Sequence, residues 1–544
     1  LMITSQAYAQ AVPNVIVTAK PDVAEIEIDR FSSTSAVITD ETIRDLHAAD
    51  LSSALRNTPG TQITRYNPVG SFGGDQGGSV FIRGMGLSRP GSEIKTYIDN
   101  VPMYMPVWGH ALLDLLPVNG MRDITIYKSP QPQINGNNFA SINLNTKTAG
   151  PNNGASGNAR VSYGSFNTVI EQVDLAGRSN DVDFSLAQGF SKSSGARANG
   201  SGQLANIMGS AGFKIDQNWK VGISGMAINN TAKDPGNNTL AAPAIAPTYD
   251  SNAQMVTAFA KHNYDSVEGE IRVYSNTGNG NLSNDLQTNG WGNSFNNFRM
   301  EGLRWKESVT PWQGGNLIFG LDYDSSTGSV TSTPRTMAGQ LSTTTTKTYL
   351  PTYKLTSPYM GLSHGFILSD KWSLVPSAGV RNYQNNQYAA KTAPYGGISL
   401  VSDVATIFFN ASQGVNYPGL DGPALQASMA ANFNNSWKNL SAEEMNHMEV
   451  GGKFNIDKKT RIDTSLFQDT VKNRYTFSEN WTDPTAPTAT FTSYGQYTMK
   501  GVELSAQREI IPELTVFGGW TYLDNDSTSN LPYVPKNAFN AAIT

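Results

Sequence analysis

The densest group of chemistry-bearing side chains runs from Met103 to Asp114, MYMPVWGHALLD, where two thioethers, two large rings and an imidazole fall within eight positions. Aromatic faces suit a flat or greasy ligand, whereas Met and His suit copper directly. Met103, Tyr104, Met105, Trp108 and His110 are therefore a candidate binding surface, with Met103, Met105 and His110 as candidate metal ligands. The same residue types also serve as apolar fillers that anchor a loop against a wall.

Other reactive patterns are thin. The five histidines, His47, His110, His262, His364 and His447, are scattered, with no His-Glu-x-x-His helix and no nucleophile elbow. Gly84-Met85-Gly86 follows a β-prone run, but Arg89 stands where a dinucleotide loop needs its third glycine and Pro90 breaks the helix that would receive phosphate. The chain has no cysteine, which excludes a disulfide framework, a thiolate metal site and a cysteine nucleophile. These patterns point away from an enzyme, and no resident cofactor is expected.

A second kind of chemistry is main-chain pairing. Val15-Ile16-Val17-Thr18-Ala19 is a short β-prone strip in a polar, proline-marked leader, free to add itself as a strand to another protein's sheet edge. It follows Ala7-Tyr8-Ala9-Gln10, a small-x-small pattern of the kind signal peptidase cuts, so residues 1–10 read as the remnant of a secretory signal.

Composition narrows what must position these groups. Charged residues make up 15% of 544, and a formal charge of -5 gives no case for a nucleic-acid surface. No run of about 18 apolar residues occurs, so a membrane location requires a β-barrel. The pattern changes near residue 150. From Ser35 to Gly60 it is helical, with Ile43, Leu46, Leu51 and Leu55 on one face, Thr39 or Asp40 as cap and Pro59-Gly60 as stop. Short β-prone runs follow at 79–82, 95–98 and 123–127, predicting a small α+β domain.

Beyond residue 150, segments of about ten residues alternate with period two between Asn/Gly/Ser/Thr-rich connections. Ala159, Val161 and Tyr163 share one face of a strand. So do Leu317, Phe319, Leu321 and Tyr323, and then Val516, Gly518, Trp520 and Tyr522. Aromatic residues near strand ends favour a transmembrane antiparallel β-barrel over a soluble β-sandwich or propeller. About seventeen strands are expected here and about twenty-two in a complete barrel with a plugged lumen, the chain stopping mid-pattern at Asn540–Thr544. Long connections at 276–294, 327–348, 385–399 and 417–439 are expected to be extracellular loops.

With these elements in place the chain resembles the TonB-dependent outer-membrane receptors of Gram-negative bacteria over nearly its full length. Asn14–Ala19 looks like the TonB box. "LSSALRNTPGTQI", "VFIRGMG", "TYIDNVP" and "MRDITIYKSPQPQINGNNFASINLNTKT" resemble the plug's successive signature blocks, and "RVSYGSFNT" the strand that opens the barrel. The later stretches "NHMEVGGKF", "MKGVELSAQ" and "LPYVPKNAFNAAIT" look like recurring barrel strands. Their order and spacing make the resemblance specific. It implies a TonB-box segment and linker at 11–34, a plug at 35–150 and a barrel at 151–544.

The resemblance also implies the chemistry. Lys128-Ser129-Pro130 stands where the family has Arg-Gly-Pro, which keeps the charge and loses the guanidinium fork. The family's plug arginines pair with barrel glutamates, and the matching positions are Arg83 and Lys128 with Glu449 and Glu503, expected to form a buried cluster that holds the plug. Val15 to Ala19 would bind TonB and its inner-membrane energising complex, and the plug's outward loops, 66–75, 87–93 and 103–114, would meet cargo. The expected cargo is a ferric siderophore, with copper, another metal or cobalamin as alternatives. The outer wall would face lipid and lipopolysaccharide of the cell outer membrane. A passive porin or a surface adhesin competes, but a porin needs neither strip nor plug and an adhesin needs no segment facing the periplasm.

Overall fold

The structure is a computed structural model that describes residues 24–544 apart from 66, 71–77, 87–91, 108–115, 237–244, 286–291, 337, 429–434, 481–487, 494 and 527–533. Val15, Ile16, Val17, Thr18, Ala19, Trp108 and His110, singled out above, lie outside the described residues.

The N-terminal part is an α+β unit. Its strands are β1 (Glu25–Ile28), β2 (Thr34–Thr39), β3 (Thr61–Arg65), β4 (Gly78–Ile82), β5 (Ile94–Ile98), β6 (Val101–Pro102), β7 (Met121–Tyr127) and β8 (Ala140–Thr146), with short helices α1 (Asp40–Asp45) and α2 (Leu51–Leu55). Six strands form one sheet in the order β1-β2-β7-β8-β5-β6, and β3 pairs with β4 beside it. The sheet begins at Glu25, inside the segment read from sequence as linker. Residues 35–39, read as the start of a helix, are instead strand, because Ala36 and Ile38 are buried and β2 is paired on both sides, with β1 and β7. Thr39 caps α1 as expected, accepting the Thr42 N–H. Asp50 caps α2, accepting from Ser53 N at 2.9 Å, and pairs with Arg65. Burial pushes the Asp50 carboxyl up, but Arg65 and the Ser53 N–H outweigh it and hold the group below the usual carboxylate range.

The rest of the chain is a barrel. In chain order its first strands are β9 (Gly154–Gly164), β10 (Thr168–Ser179), β11 (Val182–Ser193), β12 (Gly202–Lys214), β13 (Trp219–Lys233), β14 (Thr248–Asn263), β15 (Val267–Ser283), β16 (Asn293–Val309) and β17 (Gly315–Thr333). They continue with β18 (Thr346–Tyr349), β19 (Tyr353–His364), β20 (Phe366–Ile367), β21 (Ser373–Asn385), β22 (Lys391–Val401), β23 (Ala405–Asn416), β24 (Glu443–Asn455) and β25 (Thr460–Lys472). A separate hairpin, β26 (Tyr475–Asn480) with β27 (Thr488–Ser493), precedes β28 (Gln496–Ile511), β29 (Leu514–Asn525) and β30 (Asn537–Ile543). Neighbouring barrel strands pair antiparallel, as in β14–β15 and β24–β25.

Alternation decides which face each side chain takes. Ile318, Gly320 and Asp322 are buried inward while Leu317, Phe319, Leu321 and Tyr323 face out. Phe517, Gly519, Thr521 and Leu523 point in while Val516, Gly518, Trp520 and Tyr522 point out. The outward band leaves Ile207, Ile223, Val256, Val273, Met448 and Leu466 exposed, an apolar belt that water penalises and lipid covers. One rim carries tight turns such as 180–181, 264–266 and 512–513. The other carries the longer connections, which by the usual asymmetry of such barrels makes the first rim periplasmic.

Three expected loops are smaller than their composition suggests. Most of 385–399 is β-structure, since β21 and β22 leave only 386–390 between them. Ladder hydrogen bonds are made by backbone, so polar, glycine-rich side chains do not prevent a strand from running beyond the membrane. Likewise 327–333 and 346–348 extend strands, and 276–283 completes β15. The connection 417–439 contains α3 (Asp421–Ser428), which buries Leu425 and Ala424 at the outer rim.

The lumen is full. One core cluster joins plug residues Met105, Val107 and Leu116 to barrel residues Met208, Met255, Phe298 and Val330. Gly328 makes that approach possible, since a Cβ there would come within 2.9 Å of Val107.

Candidate functional site

The plug is fastened to the wall by a buried charge cluster. Arg83 follows β4 in a turn at φ 49°, with its N–H donating to Gly60 O at 3.0 Å. That turn aims the side chain at β24 and β28. Its Nη2 lies 2.8 Å from Glu449 Oε1 and its Nε 3.0 Å from Glu503 Oε1. Lys128, after β7, reaches Glu503 Oε2 at 2.9 Å. All four side chains are buried. Sequence reasoning named these four, and the structure brings them together.

It missed their supports. Thr34 donates to Glu449 Oε2 at 3.0 Å, and the Arg83 guanidinium stacks 3.8 Å over the Phe467 ring. His447, two positions before Glu449 on β24 and so on the same face, lies 3.4 Å from Glu449 Oε2 and 2.6 Å from Asp469 Oδ1. The period-two spacing His447-x-Glu449 was the available signal. Gly60, read only as a helix stop, sits at φ 73° where any side chain would strike Glu503, so the Pro59-Gly60 turn leaves room for the cluster. Burial alone would lower the Arg83 pKa, but Glu449 and then Glu503 reverse that and raise it above the ordinary arginine value.

A second ion pair of opposite polarity ties the plug nearer the outer rim, where the plug's Glu93 lies 3.5 Å from Arg474 beyond β25. Glu93 also accepts from Gly86 N at 2.6 Å.

At the apex, Met103 and Met105 are core residues, Met105 packing against Tyr249 with its sulfur 3.9 Å from the hydroxyl. Tyr104 is partly buried, 5.5 Å from Lys95 Nζ. Plug and outer wall meet through backbone as well: Asn276 Nδ2 donates to Pro102 O at 2.6 Å, and Tyr417 N to Asn137 Oδ1 at 2.8 Å. Beside this contact lies a group of tyrosines. Tyr353–Tyr388 and Tyr383–Tyr417 meet edge to face with ring centroids 5.9 and 6.3 Å apart, and Tyr388–Tyr417 meet tilted at 6.2 Å. No group of three or more His, Asp or Glu side chains placed to hold a metal occurs among the described residues.

A lipid-facing antiparallel barrel whose lumen is filled by an N-terminal α+β plug, tied to the wall by buried ion pairs, defines a plugged outer-membrane receptor. Residues 28–141 match the TonB-dependent receptor plug domain and residues 129–544 the TonB-dependent receptor-like β-barrel, and the chain belongs to that family. A stretch of 155 residues, 26% of the chain, is 24% identical to the catecholate siderophore receptor Fiu of Escherichia coli K12, and it spans only 19% of that receptor. Among solved structures, the ferripyoverdine receptor of the outer membrane of Pseudomonas aeruginosa superposes with TM-score 0.73 at 15% identity, over 99% of this chain and 77% of the receptor. The copper transporter OprC gives TM-score 0.73 at 14% identity, over 95% of this chain and 81% of OprC.

Proposed function

We propose that this chain imports a ferric chelate, of the catechol-bearing siderophore class, across the outer membrane with energy delivered by TonB. The observation that carries the import reading is the plug held in the lumen by buried ion pairs from Arg83 and Lys128 to Glu449 and Glu503; of the tyrosines at the outer end of the wall, Tyr353, Tyr383 and Tyr417 are buried and Tyr388 is partly exposed. The likeness to a catecholate siderophore receptor supports the choice of cargo. Copper is the weaker reading, because the thioethers that would bind it, Met103 and Met105, are spent on core packing.

In this proposal Tyr104, Trp108 and His110 meet cargo at the apex. Val15 to Ala19 pair as an added strand with TonB. Arg83, Lys128, Glu449 and Glu503 hold the plug until force arrives. Residues 1–10 are leader, 11–34 coupling segment, 35–150 plug and 151–544 barrel. Lipid and lipopolysaccharide cover the outward belt. A lumen this full does not pass solutes by diffusion, which disfavours a passive porin. The test is uptake of radio-iron tris(catecholate) and of copper, measured separately in cells carrying the chain with and without residues 14–20. Energised import predicts iron uptake that is lost on deletion while surface capture persists, and copper uptake in place of iron would overturn the cargo choice.

A further inference from the structure

We infer that the cavity between the plug and strands β14 to β17 is the transit site through which a polar metal chelate passes toward the periplasm, an inference that rests on the import reading above. The cavity measures about 980 Å³, at the upper end of the range of small-molecule sites. Its mouth is the tight hairpin 261–270 at the periplasmic rim, and its inner end reaches Arg304 and Asp322 half-way up the wall. The plug side presents polar groups, Thr125, Asn143 and Asn145, together with Asp29 and Arg30, and the wall side presents further charges. A hydrogen-bonding solute fits such a lining, and an apolar one does not.

The charges explain why this arc of the wall, and not the arc at β24 to β28, can part from the plug. Along β14 to β17 the barrel neutralises itself. Lys261 Nζ lies 2.7 Å from Glu270, Arg304 Nη2 lies 2.7 Å from Asp324, and Asp322 is shared by Arg304 and Arg381. Every partner in these pairs belongs to the barrel, so these wall charges stay matched when plug segments withdraw. At β28 the opposite holds, because Glu503 takes both its cations, Arg83 and Lys128, from the plug. Withdrawing plug there would strand a buried carboxylate. The standing gap and the self-compensated wall coincide at β14 to β17, whereas the cavity beside Arg83 is only about 40 Å³.

The chain has no cysteine, so single cysteines report cleanly. Thr125→Cys places a thiol on the plug side of the cavity and Asn316→Cys one on the wall side, while Ser210→Cys lines a separate cavity of about 20 Å³ and serves as control. Each full-length variant is assayed in cells before and after methanethiosulfonate treatment, so every variant is its own control for folding. A methyl adduct is expected to leave radio-iron tris(catecholate) uptake nearly unchanged. A bulky sugar-bearing adduct at Thr125→Cys or Asn316→Cys is expected to lower it about tenfold, with surface binding retained and the Ser210→Cys variant unaffected. Normal uptake with the bulky adduct at both positions overturns the inference, as does failure of both thiols to react, since a cavity open to the periplasm must admit the reagent. No uptake in the unmodified chain would instead overturn the import reading, and the reactivity of the two thiols would still decide whether the cavity is open.

Discussion

Arg83 Nη2 and Glu449 Oε1 meet 2.8 Å apart across the boundary between two parts of the molecule that share no sheet, and both side chains are almost wholly out of solvent. A pair of this kind contributes little net stability against an apolar replacement, but losing one partner is costly because the other stays buried and charged. Arg83→Ala takes the arginine from Glu449 and leaves Glu503 with Lys128 alone, and is expected to destabilise plug docking by about 3–5 kcal/mol. Glu449→Gln with Glu503→Gln leaves Arg83 and Lys128 unmatched and should weaken docking similarly. Protease sensitivity of the plug in detergent, measured against urea, checks both. Unchanged plug retention and uptake would sink the role of the cluster.

The coupling strip predicts a separation of two activities. Val17→Pro removes an N–H from a segment whose proposed partner contact is a backbone ladder, and proline cannot join one. Surface capture of radio-iron tris(catecholate) should persist while its uptake falls to background. Normal uptake in this variant would refute TonB pairing through Val15 to Ala19.

How much was legible in the sequence depended on whether a feature is written in one segment or in two. The barrel strands around Phe319 and Trp520 declare themselves by local alternation, and the pattern alone groups the residues that share a face. The helical reading of 35–39 failed because Ala36 and Ile38 fit a strand as well as a helix over so short a run, and only pairing with β1 and β7 decides. Arg83, Lys128, Glu449 and Glu503 could be named only through family resemblance, since nothing local to Glu449 points to a partner 366 positions away. Asp469, Thr34 and the clearance at Gly60 were invisible for the same reason, whereas His447 was signalled once Glu449 was known, by its place two residues earlier on the same strand face. The apex cluster Met103 to His110 was visible as composition, but composition does not say which side chains turn inward.

That last point separates packing from metal binding. Met103 and Met105 are both buried in the core shared by plug and barrel. Met105→Ala should therefore cost about 2–5 kcal/mol of stability, as truncation of a buried methionine does, without changing copper affinity. Thermal unfolding and a copper titration on the same preparation check this. Loss of a measurable copper site in the Met103→Leu, Met105→Leu double variant, with its melting temperature unchanged, would restore copper as the cargo.

Lys95 gives the plug a pH signature. It lies on β5, almost fully buried, with its Nζ donating to Asn137 O beside the Tyr104 ring. Burial pushes its pKa down from 10.5 to about 7, Asp324 and Glu443 of the wall pulling against that and Arg304 adding to it. Below about pH 7 the folded and unfolded chains both carry the proton, and the full cost of burying the cation is present. Above it the unfolded chain binds more protons than the folded one, so stability rises with pH, by at most ~1.4 kcal/mol per pH unit from this group. The chain has no thiol to titrate in that range, and the plug's Tyr97, Tyr104 and Tyr127 are all pushed upward by burial, out of it. Between about pH 7 and 9 the melting midpoint of the detergent-solubilised protein should thus rise relative to that of Lys95→Met, whatever the substitution does to the midpoint at pH 7. An equal rise in the variant would mean that Lys95 stays charged in the folded plug, held by Asp324 and Glu443 more tightly than burial opposes.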